Sequence, residues 1–401
     1  MVGNPQRIFL NASNITGSGA SVLVANLLPE LYRAAPTTEF ITLLPDVTAL
    51  AEAATSANSR IIGRSRPRVV GNNLARLLDL HGGLGRAVRA SRADVCLTLG
   101  DLGPARLPCP HVVFLHNPLF VYSSEDLAGR DSWSPAKRRY LLWQFRRCMA
   151  GASDVIVQTP VMRSRLAATV AGIESRAHVI SQPVPRHVAA GSGSPGHSPM
   201  ARCDKPVRLL FLAAHYPHKN HAILPALAAE IRARGLGGRI QIFVTLGAGA
   251  PPELRAALAA NADVVTDLGP LLPAQVPQAM SDASALFLPT LLESYGLIYL
   301  EAMACCLPIL TSDRDFARWI CADVAQYFDP LNPGSMVDAI VGLPIFQRAT
   351  NVAERARARL RLLPSTWSEV ANQFLAVLQG AGGPAASDSP GSPLPRMFPQ
   401  C

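Results

Sequence analysis

Two glutamates stand in an otherwise uncharged stretch of the second half of the chain. The stretch LLESYGLIYLEAMACCLPIL, residues 291–310, contains Glu293 and Glu301 and no other charged side chain. An unpaired, ionised carboxylate in an apolar interior costs several kcal/mol or more. We therefore expect Glu301 to meet a cation, or to line a site where a polar ligand satisfies its charge.

The residues around Glu293 have the pattern of a strand followed by a helix. ALFLPT, residues 285–290, predicts a strand, and a helix is predicted to begin at Gly296. The first N–H groups of a helix lack intrahelical partners, so they suit a phosphate or sugar oxygen. The backbone groups in question belong to Ser294, Tyr295, Gly296 and Leu297.

A second candidate segment is FLAAHYPHKNHAIL, residues 211–224, at the end of another predicted strand. Lys219 is predicted at the start of a helix, where the helix dipole disfavours a cation. A bound anion would explain this placement, and an exposed, solvated lysine is the alternative. His215, His218 and His221 have a spacing compatible with zinc, but no carboxylate or cysteine lies nearby, so we expect no metal.

Two candidates lie in the first half of the chain. NITGSGAS, residues 14–21, places Gly17 and Gly19 in a turn after the first strand, where the backbone can approach a ligand closely. A dinucleotide-binding loop would need a further glycine where Val22 stands. His116 ends the predicted strand HVVFLH and points toward a site, unless its role is structural.

The order of elements predicts the fold class. Short apolar runs alternate with helical patterns, which is typical of parallel sheets wrapped by helices. We predict an α/β protein with two Rossmann-like, doubly wound domains that face each other across a cleft. The predicted parts are a first domain at 1–183, a flexible linker at 184–206, a second domain at 207–364, a helix at 365–379 that packs back on the first domain, and a disordered tail at 380–401.

Composition narrows the class of protein. The chain of 401 residues is 49% hydrophobic and 16% charged, with a net charge of +9. Residues 1–185 contain 20 Lys and Arg against 12 Asp and Glu, so the basic surplus lies in the first half. No nucleic-acid motif accompanies these basic residues, and we expect no nucleic-acid partner. Scattered cysteines, no spanning apolar run and no signal-peptide pattern predict a reduced, cytoplasmic protein.

The stretch PTLLESYGLIYLEAMACCLPIL, residues 289–310, resembles the nucleotide-sugar signature of family 4 retaining glycosyltransferases of the GT-B fold. The shared features are two glutamates separated by seven residues, the run ESYG at the first and the run EAMA at the second. The resemblance implies that Glu301 binds the ribose hydroxyls and that Glu293 contacts the transferred sugar. Cys306 stands where the family has a glycine.

The other candidate segments resemble the same family, strongly over residues 205–345 and weakly over 1–185. The resemblance implies that Lys219 binds the donor diphosphate, with His215 at the position of a family arginine. It also implies that the loop of Gly17 and Gly19 lies against the donor phosphate. His116 would lie beside the transferred sugar.

The implied function is a retaining, metal-independent glycosyltransferase of the hexosyltransferase type, without a cofactor. Its donor would be a nucleoside-diphosphate sugar, and its acceptor a hydroxyl of a bacterial glycan or lipid-linked saccharide. Two alternatives stay open: another GT-B enzyme such as a nucleotide-sugar epimerase, and a non-catalytic glycan-binding protein.

One segment of the basic first half suggests a membrane partner. In RRYLLWQFRRCMAGA, residues 138–152, four arginines stand beside leucines and aromatic residues, a composition suited to an interfacial helix. We expect peripheral contact with an anionic inner membrane face. A helix packed in the core with a solvated basic edge is the alternative. The arginines are Arg138, Arg139, Arg146 and Arg147.

Overall fold

Two parallel sheets wrapped by helices form the molecule. The computed structural model describes residues 5–15, 18–44, 48–63, 82–189, 206–247 and 249–382. Most strand residues are buried, as expected for parallel sheets covered on both faces. The prediction of two doubly wound α/β domains is confirmed. Within the described ranges, no helix has both the length and the apolar character needed to cross a bilayer.

The first domain contains one sheet of seven parallel strands. The strands are β1 Arg7–Asn11, β2 Glu39–Leu44, β3 Ser59–Gly63, β4 Val95–Thr98, β5 His111–Leu115, β6 Asp154–Val157 and β7 Ala177–Val179. Their order in the sheet is β3-β2-β1-β4-β5-β6-β7. The helices described in this domain are α1 Ser18–Ala34, α2 Thr48–Ala53, α3 Leu84–Ser91, α4 Pro135–Gly151 and α5 Pro160–Thr169.

The second domain repeats the arrangement with six parallel strands. They are β8 Val207–Phe211, β9 Ile240–Val244, β10 Val265–Asp267, β11 Ala285–Leu288, β12 Ile309–Ser312 and β13 Ala325–Phe328, in the order β10-β9-β8-β11-β12-β13. The helices described after α5 are α6 Arg186–Ala189, α7 Leu224–Ala233, α8 Pro252–Ala259, α9 Val276–Ser281, α10 Leu297–Ala304, α11 Asp315–Cys321, α12 Pro333–Ala349, α13 Val352–Leu360 and α14 Trp367–Gly382. In doubly wound α/β sheets, ligands generally bind beyond the carboxyl ends of the strands.

The last helix returns to the first domain. α14 packs against α1, β4 and β5, and Phe374 meets Phe114 edge to face with 5.3 Å between the ring centroids. The helix ends at Gly382, so residues 380–382, which the sequence assigned to a disordered tail, are helical. Residues 383–401 of that predicted tail lie outside the described residues.

The predicted linker begins with packed structure. α6 lies inside the range 184–206, and Val188 is only 1% exposed. This part of the predicted flexible linker is therefore helical and contains a buried side chain. The later part of the predicted linker, 190–205, lies outside the described residues.

Helix α10 ends in a Schellman motif that places a cysteine in an unfavourable conformation. The N–H of Leu307 donates to the carbonyl of Ala302 at 2.9 Å, and the N–H of Cys306 donates to that of Met303 at 3.1 Å. This pattern requires a residue with a left-handed backbone conformation just after the helix C-cap, and that residue is usually glycine. Cys306 occupies the position with φ of +53°. The left-handed conformation therefore explains why glycine suits this position, which is where the family resembled by this segment has a glycine.

We predict that Cys306→Gly raises the free energy of unfolding by about 0.5–1 kcal/mol. A residue with a Cβ pays about 1–2 kcal/mol for the left-handed conformation, and glycine does not. Part of this gain is offset because glycine increases the conformational entropy of the unfolded chain. Urea denaturation midpoints measure the difference. Cys306→Ala is the control: it removes the thiol, retains the Cβ and should give no comparable gain. Equal stabilisation by Ala and Gly would show that the thiol, and not the backbone, carries the cost.

Candidate active site

An ion pair joins the two candidate segments of the second domain. The ammonium of Lys219 donates to the carboxylate of Glu293, and the side chains are 19% and 14% exposed. Lys219 lies in the loop after β8 and Glu293 in the loop after β11, which are adjacent strands. The carboxyl ends of these two strands therefore bring together opposite charges that the sequence places 74 residues apart.

Lys219 is not at the start of a helix, and the argument from the helix dipole is therefore wrong. Residues 217–219 and 221–223 form two single 3₁₀ turns, and α7 begins only at Leu224. Asn220 separates the turns with φ of +68°, a left-handed conformation that asparagine tolerates better than most side chains. Glu293 supplies the partner that the dipole argument assigned to a bound anion.

The side chain of Asn220 links the turn that contains Lys219 to two other loops through hydrogen bonds. The side chain is fully buried, and its amide nitrogen donates to the carbonyls of Pro289 and Pro330 at 2.9 and 2.7 Å. The carbonyl of His218 accepts from the N–H of Leu291 at 2.8 Å. These bonds fix the turn that carries Lys219 against the loop that carries Glu293.

The loop between Glu293 and α10 presents backbone donors. In the described structure, the N–H groups of Ser294, Tyr295 and Gly296 have no hydrogen-bond acceptor. Gly296 caps the helix with φ of +77°, and a Cβ there would lie 2.6 Å from the ring of Tyr299. Leu297, the first residue of the helix, continues the row. Free amides at a helix start form an anion site if a ligand reaches them.

The side chain of Tyr295 has a structural role. It is 2% exposed, and its hydroxyl donates to the carbonyl of Gln182 at 2.6 Å. Burial raises the pKa of this phenol well above its usual range. Only the backbone of Tyr295 is therefore available to a ligand, and its ring ties the loop to the segment that connects the domains.

Glu301 is buried with a single weak partner. The residue is 8% exposed, and within the described residues its carboxylate accepts no hydrogen bond. The nitrogen Nε2 of His187, in α6, lies 3.4 Å from Oε1. This separation is longer than that of a charge-assisted hydrogen bond, so His187 leaves the carboxylate without a close partner. The carboxylate keeps free acceptor capacity.

The histidines near Lys219 are uncharged at neutral pH. Burial lowers the pKa of His218 and of His221 to about 3, and it also lowers the pKa of His215. A neutral His215 cannot supply the positive charge of the arginine whose position it occupies by resemblance. In the ranges that the structure covers, no group of three His, Cys, Asp or Glu residues is arranged to hold a metal ion.

His116 and the glycine loop belong to the first domain. His116 follows β5, and its Nε2 lies 2.8 Å from the carbonyl of Leu99. Gly19 lies in the first turn of α1, where a Cβ would meet no atom within 4 Å. Close packing inside the protein therefore does not require a glycine at that position. Gly17 lies outside the described residues.

A polar cluster joins the two domains beside the site. Asp315, at the start of α11, accepts from the Tyr122 hydroxyl at 3.0 Å and from Nε of Arg165 at 2.7 Å. The guanidinium of Arg165 also lies over the Tyr122 ring, 3.7 Å from its centroid. These contacts bring the chain that follows His116 against the second domain. The sheet edges at β5 and β12 therefore face the same cleft.

Sequence reasoning missed several residues that position the site. They are Asn220, His187, Tyr122, Arg165 and Asp315. Asn220 carried a usable signal, because asparagine between two short polar turns is typical of a left-handed residue. The others act through partners far away in the sequence, which no local pattern identifies.

The sequence of the second domain matches a known family. Residues 206–343, about a third of the chain, match the model of the family described as Glycosyl transferases group 1. The matched range includes Lys219, Glu293 and Glu301. None of the curated proteins matches the chain in sequence.

Solved structures resemble the whole chain. HepE from Anabaena in complex with UDP-glucose is 17% identical with a TM-score of 0.64, over 93% of this chain and 98% of HepE. Sucrose-phosphate synthase from Thermosynechococcus elongatus is 18% identical, with a TM-score of 0.64 over 92% and 97% of the two chains. WaaG, a glycosyltransferase involved in lipopolysaccharide biosynthesis, is 14% identical, with a TM-score of 0.70 over 93% and 100%. At these identities the likeness establishes the fold, which is that of GT-B glycosyltransferases.

We predict that Glu301→Leu unfolds at the same temperature as the unsubstituted protein or higher, because leucine suits the apolar helix and no obligate cation loses its partner. Glu30→Leu is the matched control. Glu30 is 7% exposed on α1, but its carboxylate accepts from both Arg33 and Arg186. The side chains of Arg33 and Arg186 are 67% and 49% exposed and stay solvated, so we expect only a small fall in melting temperature from the lost charged hydrogen bonds. A large drop for Glu301→Leu would mean that Glu301 is a structural residue.

Proposed function

We propose that the protein transfers a sugar from a nucleoside-diphosphate sugar to a hydroxyl of a bacterial glycan or lipid-linked saccharide, with retention of anomeric configuration. The observation that carries the proposal is the Lys219–Glu293 pair beside a row of unpaired backbone amides. This arrangement offers a cation and fixed N–H donors to a diphosphate, and a carboxylate to sugar hydroxyls. It lies in the range that matches the glycosyltransferase family model.

The donor would occupy the site from ribose to sugar. Glu301 accepts hydrogen bonds from the two ribose hydroxyls, each contributing roughly 1.5–3 kcal/mol because the acceptor is charged. The amides of residues 294–297 and the ammonium of Lys219 bind the diphosphate. Glu293, released from Lys219, accepts from hydroxyls of the transferred sugar. The buried Glu301, whose carboxylate accepts no hydrogen bond within the described residues, supports the ribose assignment.

The reaction is the departure of the nucleoside diphosphate from the anomeric carbon. The bond between that carbon and the phosphate oxygen breaks, with its electron pair remaining on the oxygen. The acceptor oxygen bonds to the same face of the carbon and passes its proton to the departing phosphate oxygen. Lys219 and the amides stabilise the charge that develops on the leaving group, and His116 contacts the sugar. Fixed donors of this kind supply the role of a divalent cation, so we propose metal-independent turnover without a cofactor.

Two observations support the acceptor class. WaaG, which has the same fold, is described as a glycosyltransferase involved in lipopolysaccharide biosynthesis. A basic surface in the first domain, described below, suits an acceptor held at a membrane. The direct test is to incubate the purified protein with a panel of nucleoside-diphosphate sugars and candidate lipid-linked acceptors. Release of nucleoside diphosphate that depends on the acceptor supports transfer, whereas acceptor-independent epimerisation would contradict it.

We predict that Lys219→Ala lowers kcat by about 10²-fold or more, since the ammonium meets charge that develops in the transition state. Nucleotide release under saturating donor measures kcat, and a melting curve checks the fold. Arg239→Ala, which removes an exposed cation of the same domain, is the control and should keep its rate. Near-normal turnover by Lys219→Ala would remove Lys219 from the reaction.

The structure sorts the basic residues of α4 into two groups. Arg138 is turned inward, where it donates to Asp131 and to the carbonyl of Tyr122, and Phe145 is fully buried. Neither side chain can contact a lipid surface. Both are therefore removed from the residues of the 138–152 segment that were expected at the membrane. The exposed stripe, which we call the α4 surface, consists of Arg139, Tyr140, Trp143, Arg146 and Arg147.

The chemistry of the α4 surface suits an anionic membrane. Trp143 is 45% exposed and the guanidinium of Arg147 lies 4.8 Å from its ring centroid. No acidic residue occurs in α4. Aromatic rings and arginines on one helical face favour the interface between headgroups and acyl chains. We propose that the protein acts as a peripheral protein at the cytoplasmic face of the inner membrane.

We predict that the protein sediments with phosphatidylglycerol-containing vesicles at low salt and not with phosphatidylcholine vesicles. Replacing the three α4-surface arginines by Gln should weaken partitioning about 10²-fold, at about 1 kcal/mol for each basic residue. The charge-matched control replaces the exposed Arg239, Arg357 and Arg361 of the second domain by Gln. Equal losses in both triple variants would mean that net charge, and not the α4 surface, drives the binding.

A further inference from the structure

Asp101 occupies an unusual backbone position at the edge of the first-domain sheet. It lies in the loop after β4, its φ is +66°, and the residue is 8% exposed. Asparagine, aspartate and glycine are the residues that most readily take this left-handed conformation. The side chain of Asp101 is thereby turned toward the end of β5, the neighbouring strand in the sheet.

One carboxylate oxygen of Asp101 holds the chain at the end of β5. Oδ1 accepts from the N–H of His116 at 2.7 Å and from the N–H of Asn117 at 2.8 Å. Two charge-assisted hydrogen bonds to consecutive amides fix the direction in which the chain leaves the strand. The second oxygen, Oδ2, lies 3.7 Å from Nε2 of His116.

The same loop fixes the protonation pattern of the His116 ring. Nε2 lies 2.8 Å from the carbonyl oxygen of Leu99, two residues before Asp101. A carbonyl can only accept, so Nε2 carries a proton and the neutral ring has its lone pair on Nδ1. Among the described residues Nδ1 has no hydrogen-bond partner, and the side chain is 16% exposed.

We propose that Asp101 is a positioning residue, which holds His116 so that Nδ1 is presented as a hydrogen-bond acceptor to a hydroxyl of the transferred sugar. This inference rests on the proposed function. Asp101 does not itself touch substrate, because its side chain is 11% exposed and Oδ1 is already bonded to two amides. The loop that contains Leu99 and Asp101 therefore affects the reaction only by orienting the imidazole ring of His116.

Two substitutions of Asp101 distinguish the effect of losing its carboxylate from the effect of changing the backbone conformation. Asp101→Gly removes both hydrogen bonds and takes the positive φ without strain. Asp101→Asn retains an oxygen acceptor and tolerates the same backbone. We expect kcat to fall about 10²-fold in the Gly variant, as expected for a misplaced contact group, and Asn to recover most of the turnover. Asp101→Gly leaves two amides without their acceptor and should lower the melting temperature by a few degrees, whereas Asp101→Asn should stay close to the unsubstituted protein; kcat is therefore measured well below both transitions.

A double-mutant cycle with His116→Ala distinguishes positioning from general support. If Asp101 acts through the ring, Asp101→Gly causes no further loss of kcat once His116 is alanine. If Asp101 merely supports the fold, the two losses multiply. Multiplicative losses, or a Gly variant with undiminished kcat, would overturn the inference.

Imidazole NMR tests the inference without turnover. In protein labelled at histidine nitrogen and carbon, the signals of the His116 ring are assigned by comparison with His116→Gln. Spectra recorded where the ring is uncharged should show the Nε2–H tautomer. Asp101→Asn should keep that tautomer, and Asp101→Gly should show a mixture. An unchanged tautomer in the Gly variant would contradict the inference. If no donor is turned over while the tautomer shifts as expected, the proposed function fails and the positioning by Asp101 stands.

Discussion

The ion pair between Lys219 and Glu293 is the interaction on which the candidate site depends. Two opposite charges stand on neighbouring loops. The loops are joined by the bond from the Asn220 amide to the Pro289 carbonyl and by the bond from the Leu291 N–H to the His218 carbonyl. Within the protein each charge satisfies the other. In the proposed function, a diphosphate gives Lys219 a more strongly charged partner and leaves Glu293 to accept from sugar hydroxyls. Donor binding would then exchange one internal contact for two contacts with the donor.

Two buried carboxylates show the difference between scaffold and site. Glu30 is surrounded by two arginines that keep their charge at any physiological pH, so its position is fixed by internal pairing. Glu301 is equally buried but has only a histidine within reach. A protein interior retains an incompletely satisfied carboxylate at the cost of stability, and such costs concentrate at functional sites. The contrast supports a ligand at Glu301 on grounds independent of sequence resemblance.

The sequence was informative wherever a pattern is local. Alternation of apolar runs and helices predicted both sheets, and the spacing of Glu293 and Glu301 placed them correctly on a loop and a helix. The start of α7 was missed because Asn220 is held left-handed by carbonyls of Pro289 and Pro330, which lie far away in the chain. No local sequence pattern identifies Asp101, because its hydrogen bonds to the chain after β5 form only when β4 lies beside β5. The direction of Arg138 was likewise undetermined, since adjacent arginines on one helix can face opposite sides.

The central claim is that the loops after β8 and β11 bind a nucleoside diphosphate. Isothermal titration of the purified protein with UDP, GDP and ADP, alongside their monophosphates, tests it most directly. We expect one diphosphate to bind at a single site and its monophosphate to bind much more weakly, because Lys219 and the free amides address the second phosphate. Absence of binding by every diphosphate, or equal affinity for the monophosphate, would contradict the assignment of the site.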